Sequence, residues 1–436
     1  MHFSPASSTK KQRLASLLRY GSAIFSQGLI SGFHFVLNLL LVKLLPVADF
    51  GLYALTFVLA ILASSIGNAL ISTPLCVYAP GTSDTERIRI ESMLTTLMTL
   101  LLGTALIIGV LISLSLSSTG DDFHIMIAAS TFIVSYLARQ YSRSFGYSRF
   151  DVMSVLWGDM AYVCTGVILL VLHHAYATDI SSVDVLTILT IANGVAVLVE
   201  VGRLPQTINL MKLKAAVTEY WPIWQQARWA LIGAITTVVV SQAHSLVVSA
   251  LKSPAAYAPL AAGFVIFGPV RVIFTTIQNV IKPEMALAIA EQRHADAHRQ
   301  MILSSAISAV AVLGLIVCCY IGWPWIDQYL YSERYADAPM KTIVFMWAAL
   351  TLVSALQNGP FAVLQSLKAF KQLAMATVFG SIVSLLAVAI MLSLAPVHWS
   401  LVGILLAELF VVAWVSKLVI EHFGHANTLR NNPVNA

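Results

Sequence analysis

The chain has 436 residues, of which 58% are hydrophobic and 10% charged, with a net charge of +5 and a mean hydropathy of +0.83. A soluble domain carries about 25% charged residues. These proportions exclude a soluble globular protein, a disordered chain and a nucleic-acid-binding domain, and the positions of the basic residues assign the positive charge to a membrane surface.

In chain order, apolar runs long enough to cross about 30 Å of hydrocarbon fall at approximately 17–44, 52–78, 93–116, 123–138, 152–172, 185–201, 228–251, 260–281, 301–321, 342–364, 375–394 and 401–419. They are too long and too continuous for barrel strands. They predict an all-α polytopic membrane protein of about 12 transmembrane helices. The fourth and sixth runs are the shortest. The first follows Lys10, Lys11, Arg13 and Arg19, but its length and the nearness of the second run mark a retained helix, not a cleaved signal peptide.

Lys and Arg set orientation. With twelve spans, the N-terminal group shares a side with Arg87, Arg89, Arg139, Arg143, Arg149, Arg203, Lys212, Lys214, Arg228, Lys282, Arg293, Arg299, Lys368, Lys371, Lys417 and Arg430, which is 20 of the 25 basic residues. Lys43, Lys252, Arg334 and Lys341 fall opposite, and Arg271 lies inside a span. Both termini are therefore expected in the cytoplasm. Cys76, Cys164, Cys318 and Cys319 show no metal-ligand spacing and read as buried small apolar residues.

The longest cytoplasmic connection, around 202–227, contains Lys212, Lys214, Tyr220, Trp221, Pro222 and Trp224, a composition suited to a helix at the membrane surface. It divides the chain into a six-helix bundle at 1–202, a linker at 203–227, a second bundle at 228–421 and a tail at 422–436. A weak repeat supports two halves. Arg19-Tyr20 opens the first span as Arg228-Trp229 opens the seventh, each span ends near a proline (Pro46, Pro254), and Phe50, Phe57 and Val58 precede Tyr257, Phe264 and Val265 by 207 positions. Parallel repeats of this kind place a site between the halves near mid-membrane. No loop is large enough for a soluble catalytic domain, and no Walker-type phosphate loop is present.

Polar side chains in hydrocarbon face a cavity or another helix. Gln27, Ser31, His34 and Asn38 share one face of the first span, and Arg271, Thr275, Gln278 and Lys282 one face of the eighth. The seventh carries Thr237, Ser241, Gln242, His244 and Ser245, the second Ser64, Ser65, Asn68 and Ser72, and the tenth Ser354, Asn358 and Gln365 beside Gly359-Pro360. The serines and threonines read as helix–helix bonds; Arg271, His34 and His244 read as cavity-lining. Asp159 and Glu408 also lie within spans. They are either ion-coupling sites or members of structural ion pairs, with Arg271 the candidate partner of Glu408.

After the first span comes Leu44-Leu45-Pro46-Val47-Ala48-Asp49-Phe50-Gly51-Leu52-Tyr53. This turn, with the layout of twelve spans, short loops and a mid-chain linker, resembles the bacterial oligosaccharide flippases and polysaccharide transporters of the multidrug/oligosaccharidyl-lipid/polysaccharide exporter superfamily. The resemblance implies two six-helix bundles forming a V-shaped central cavity, lined by the first two helices of each half and working by alternating access. It implies a polyprenyl-diphosphate-linked oligosaccharide, flipped across the bacterial inner membrane for exopolysaccharide, capsule or O-antigen biosynthesis. Membrane lipids, a polysaccharide polymerase and glycosyltransferases are the implied partners. No cofactor is implied beyond a proton or sodium gradient. A substrate cavity would use Gln27, His34, Asn38, Asn68, Gln242, His244, Arg271 and Gln278, with Arg271 and the histidines meeting the diphosphate. Arg139, Arg143 and Arg149 read as topology determinants at the inner surface, where they would also gather anionic headgroups. An ion-coupled multidrug antiporter of the same superfold is the second reading. An integral membrane polymerase or acyltransferase is the third, without the outer loop or His/Asp constellation such enzymes need.

Overall fold

The computed structural model describes the backbone of residues 10–431 apart from 81, 118, 178, 204–209, 332–333 and 368, and side chains of 21–423 apart from those and 226, 275–276, 278–280, 282–283, 290 and 370. Thirteen long helices follow one another: α1 Lys10–Leu44, α2 Val47–Tyr78, α3 Asp84–Leu116, α4 Gly120–Ser148, α5 Val152–Tyr176, α6 Ser182–Arg203, α7 Leu213–Leu251, α8 Pro254–Val265, α9 Gly268–Ala290, α10 His294–Ile321, α11 Met340–Ser366, α12 Phe370–Leu394 and α13 Ser400–Asn431. No strand occurs among the described residues. Among the described residues, ten helices are long and apolar enough to span a bilayer, and the bent pair α8–α9 makes an eleventh. The twelfth expected span is α4, 29 residues long but diluted in apolarity by His124, Gln140 and two arginines. The chain is a multi-pass, all-α membrane protein.

Helix ends follow local chemistry. Thr119 and Asp122 form a reciprocal capping box at α4, each bond 3.1 Å. Asp151 caps α5 through the Ser154 amide at 3.0 Å, and Ser253 caps α8 ahead of Pro254. Cys319 is buried, whereas Cys76, Cys164 and Cys318 are exposed. Their expected burial is corrected: a spanning helix shows apolar side chains to lipid as readily as to its neighbours.

The chain divides into two compact units. The first comprises Met1–His34 and Gly67–Gln225, the second Phe35–Ile66 and Gln226–Ala436. In the first, Ile71, Leu75, Met93, Leu94, Met98, Leu137, Phe145 and Ala216 form a core. In the second, Val240, Met285, Ala288, Val363, Ala376, Val411 and Val415 do so.

The turn that opens α2 is built for close packing within the second unit. Phe50 and Tyr53 are buried. A Cβ at Gly51 would overlap the Pro254 carbonyl, so glycine lets α2 approach the α7–α8 turn. The two prolines paired by the repeat thus mark two turns, and the glycine beyond the first meets the second directly. Arg334 adds a trans cap, donating to the Lys43 and Leu44 carbonyls at the end of α1, each at 3.2 Å.

Internal prolines explain two polar contacts. A proline lacks the N–H that would bond the carbonyl four residues earlier, and in a membrane that carbonyl needs another donor. Pro74 frees the Leu70 carbonyl, within a π-helical turn at Asn68–Ser72, and the Tyr220 hydroxyl donates to it at 2.5 Å. Pro360 frees the Leu356 carbonyl, and the Ser305 hydroxyl donates to it at 3.0 Å. Pro269 lies just beyond the 59° bend between α8 and α9. Tyr220→Phe strands the Leu70 carbonyl, an expected cost of about 1–3 kcal/mol. The expected result is a thermal unfolding midpoint several degrees lower in detergent, with helix content unchanged. An unchanged midpoint would show that water satisfies Leu70 equally well.

Candidate functional site

The first unit contains a polar network that four helices build in its interior. Asp159 on α5 is fully buried. Its carboxylate accepts from Arg139 at 2.8 Å, lies 3.2 Å from the Arg143 guanidinium, and accepts from the Ser26 hydroxyl of α1. Arg139 and Arg143 are one helical turn apart on α4, so both reach the same acid. Glu200 on α6 accepts from Ser142, which lies between the arginines in sequence. Gly158 makes room for it, since a Cβ there would overlap the Glu200 side chain. Two guanidinium cations thus meet two carboxylates in the interior.

The network extends along α1. The Arg139 guanidinium stacks 3.7 Å above the Tyr162 ring centroid. The Tyr162 hydroxyl lies 3.2 Å from His34 Nε2, and Phe33 packs edge-on against both rings. Arg143 reaches outward to Gln27 Oε1 at 3.4 Å. Nearby, Arg149 binds Glu91 through two bonds of 2.9 and 2.5 Å.

These contacts correct the reading of Arg139, Arg143 and Arg149 as a surface cluster. Arg139 is only 1% exposed, because Asp159 and Glu91 on adjacent helices neutralise the arginines inside the fold. Charge position at a helix end suggests topology. The signal that points inward is numerical: three arginines on α4 and its end, and three acids, Glu91, Asp159 and Glu200, within the flanking spans.

In the second unit the expected residues are dispersed. His244 is 1% exposed, enclosed edge-on by Tyr257 and Trp347, with its Nε2 3.3 Å from Ser245 Oγ. Its cavity-lining role is corrected: the ring is a packed core group. Arg271 is exposed, its guanidinium 5.4 Å from the Phe264 ring centroid. Glu408 is 8% exposed. The Arg271–Glu408 ion pair is absent among the described residues. Close contacts at Gly380–Val411 and Gly403–Val388 register Glu408 level with Val383 and Ser384 of α12 instead. Gln242 accepts from Ser245 at 3.0 Å. Asn38 is half-buried in the second unit and Asn68 half-buried in the first. The side chain of Gln278 lies outside the described residues.

The fold has known counterparts among solved structures. An inward-facing multidrug resistance MATE family transporter of the MOP superfamily aligns with a TM-score of 0.70 at 11% identity, covering 96% of this chain and 99% of that one. The lipid II flippase MurJ in an inward closed conformation aligns with a TM-score of 0.67 at 13% identity, covering 92% and 87%. A MATE protein in complex with MaL6 aligns with a TM-score of 0.59 at 11% identity, covering 93% and 96%. No protein-family profile and no curated protein matches the sequence. The chain therefore shares the fold of these transporters and this flippase over nearly its whole length.

Proposed function

We propose that the protein is a flippase that carries a polyprenyl-diphosphate-linked oligosaccharide across the bacterial inner membrane for surface polysaccharide assembly. One observation carries this reading. Within the apolar runs, the accessible charges among the described residues are basic (Lys43, Arg228, Arg271 and Lys417), while the acids Asp159, Glu200 and Glu408 are buried. A basic accessible surface favours an anionic headgroup. In the second unit Arg271 would meet the diphosphate, with Asn38 and Gln242 offering amides to sugar hydroxyls. The likeness to the lipid II flippase MurJ supports the same class of cargo.

The likeness to multidrug transporters supports a second reading equally well, an ion-coupled antiporter. Glu408, a buried acid with no ion pair among the described residues, favours it. Deletion of the gene separates the two. Cytoplasmic-leaflet accumulation of a lipid-linked oligosaccharide, with loss of surface polysaccharide, is the expected result. Drug sensitivity with normal polysaccharide would instead establish the antiporter, and Glu408→Gln would then abolish the response of transport to a collapsed proton gradient.

A further inference from the structure

A second feature lies wholly within the second unit and takes no part in the proposed transport chemistry. A groove of about 510 Å³ opens between the first turns of α11 and α13, lined by Lys341, Thr342, Phe345, Met346, Leu401 and Leu405 among others. Its volume falls in the range of about 300–1,000 Å³ typical of small-ligand sites. Its walls are apolar, and its cation and hydroxyl sit together one turn above Phe345. Lys341 makes no ion pair among the described residues. The first turn of α11 has no side-chain cap from Pro339, so the amides there keep their positive field beside Lys341. Ser400, which begins α13 beside the groove wall at Leu401, is fully buried and its hydroxyl has no partner. The basic-residue distribution assigns this end of both helices to the outer leaflet, where a lysine ammonium reaches headgroup depth along its own alkyl stem.

We propose that this groove seats an anionic phospholipid, with one acyl chain between α11 and α13 and the phosphate at Lys341 and Thr342. The apolar walls match a chain and not a sugar or peptide, and the single unpaired cation at the mouth complements one phosphate.

The test is native mass spectrometry of the full chain, purified from detergent containing equal phosphatidylglycerol and phosphatidylethanolamine. The wild type retains phosphatidylglycerol by roughly fivefold over phosphatidylethanolamine, the factor that corresponds to about 1 kcal/mol for one cation near an anionic surface. Lys341→Ala brings the ratio close to one, and Lys341→Arg keeps it. Val402→Trp and, independently, Leu405→Trp fill the groove and reduce retention of both lipids. Equal retention by the wild type, or a ratio unchanged in Lys341→Ala, overturns the proposal. So does displacement of the lipid by millimolar inorganic phosphate, which would mean that an anion is held without its chain.

Discussion

Arg271→Ala is expected to abolish polysaccharide export while the protein still reaches the membrane in normal amount. A guanidinium within a spanning segment is costly, and it persists where it meets water or an anion. Arg271 is exposed, so its removal opens no cavity in the core. Its loss should therefore act on the substrate rather than on folding. A hydrogen bond to a charged group contributes about 1.5–3 kcal/mol, so losing one or two such bonds predicts transport at least tenfold slower. The measurement is complementation of the deletion strain, with membrane protein quantified in parallel. Arg271→Lys, which keeps the charge but loses the fork, should restore part of the activity. Ser64→Ala, a buried hydroxyl change in the second unit, should alter export less than twofold. Full complementation by Arg271→Ala would remove this residue from the mechanism.

Hydropathy makes most of the fold legible. Eleven of the twelve expected runs each lie on one helix, because a segment surrounded by lipid must satisfy its own backbone and has little choice but a helix. The bend between α8 and α9 interrupts one expected run. It is readable in principle from Gly268-Pro269, but length alone hides a kink inside an apolar stretch. The division of the chain within α1 and α2 has no hydropathy signal, since both sides of that division are equally apolar.

The site is legible only in part. Phase along α1 correctly marks Gln27 and His34 as polar positions on one face, and both join the same network. Phase does not tell a residue facing water from one facing another side chain. That is why His244, with its stripe of serines, reads as open and proves enclosed. Glu200 and Arg139 escape a sequence reading because a charge near a helix end has two fates, solvent or an opposite charge on a neighbouring helix. Only the third dimension chooses between them. Of the serines and threonines read as helix–helix bonds, Ser65, Thr237 and Ser241 bond carbonyls of their own helix, whereas Ser305, Thr236 and Ser384, which bond across helices, lie outside the stripes.

Asp159→Asn is expected to destabilise the protein far more than Tyr220→Phe or Arg271→Ala. Asp159 is the one carboxylate shared by Arg139 and Arg143 and is also bonded to Ser26. Removing its charge leaves two guanidiniums in the interior with Glu200 as the remaining acid. Breaking a buried ion pair from one side typically costs about 3–5 kcal/mol, because the surviving charge remains buried. That is a large share of the total stability of a typical folded protein. The expected result is a sharply lowered yield of folded protein and a thermal midpoint many degrees below wild type. Two further variants separate charge from shape. Arg139→Gln alone should also be strongly destabilising, since it leaves Asp159 with Arg143 only and removes the cation above Tyr162. Arg139→Gln combined with Asp159→Asn should cost less than the sum of the two, because the pair is removed together and one positive and one negative charge leave the interior at once. A coupling energy near zero in this cycle would show that water reaches the network and screens it. Unchanged stability in Asp159→Asn, with transport lost, would move Asp159 from scaffold to ion coupling.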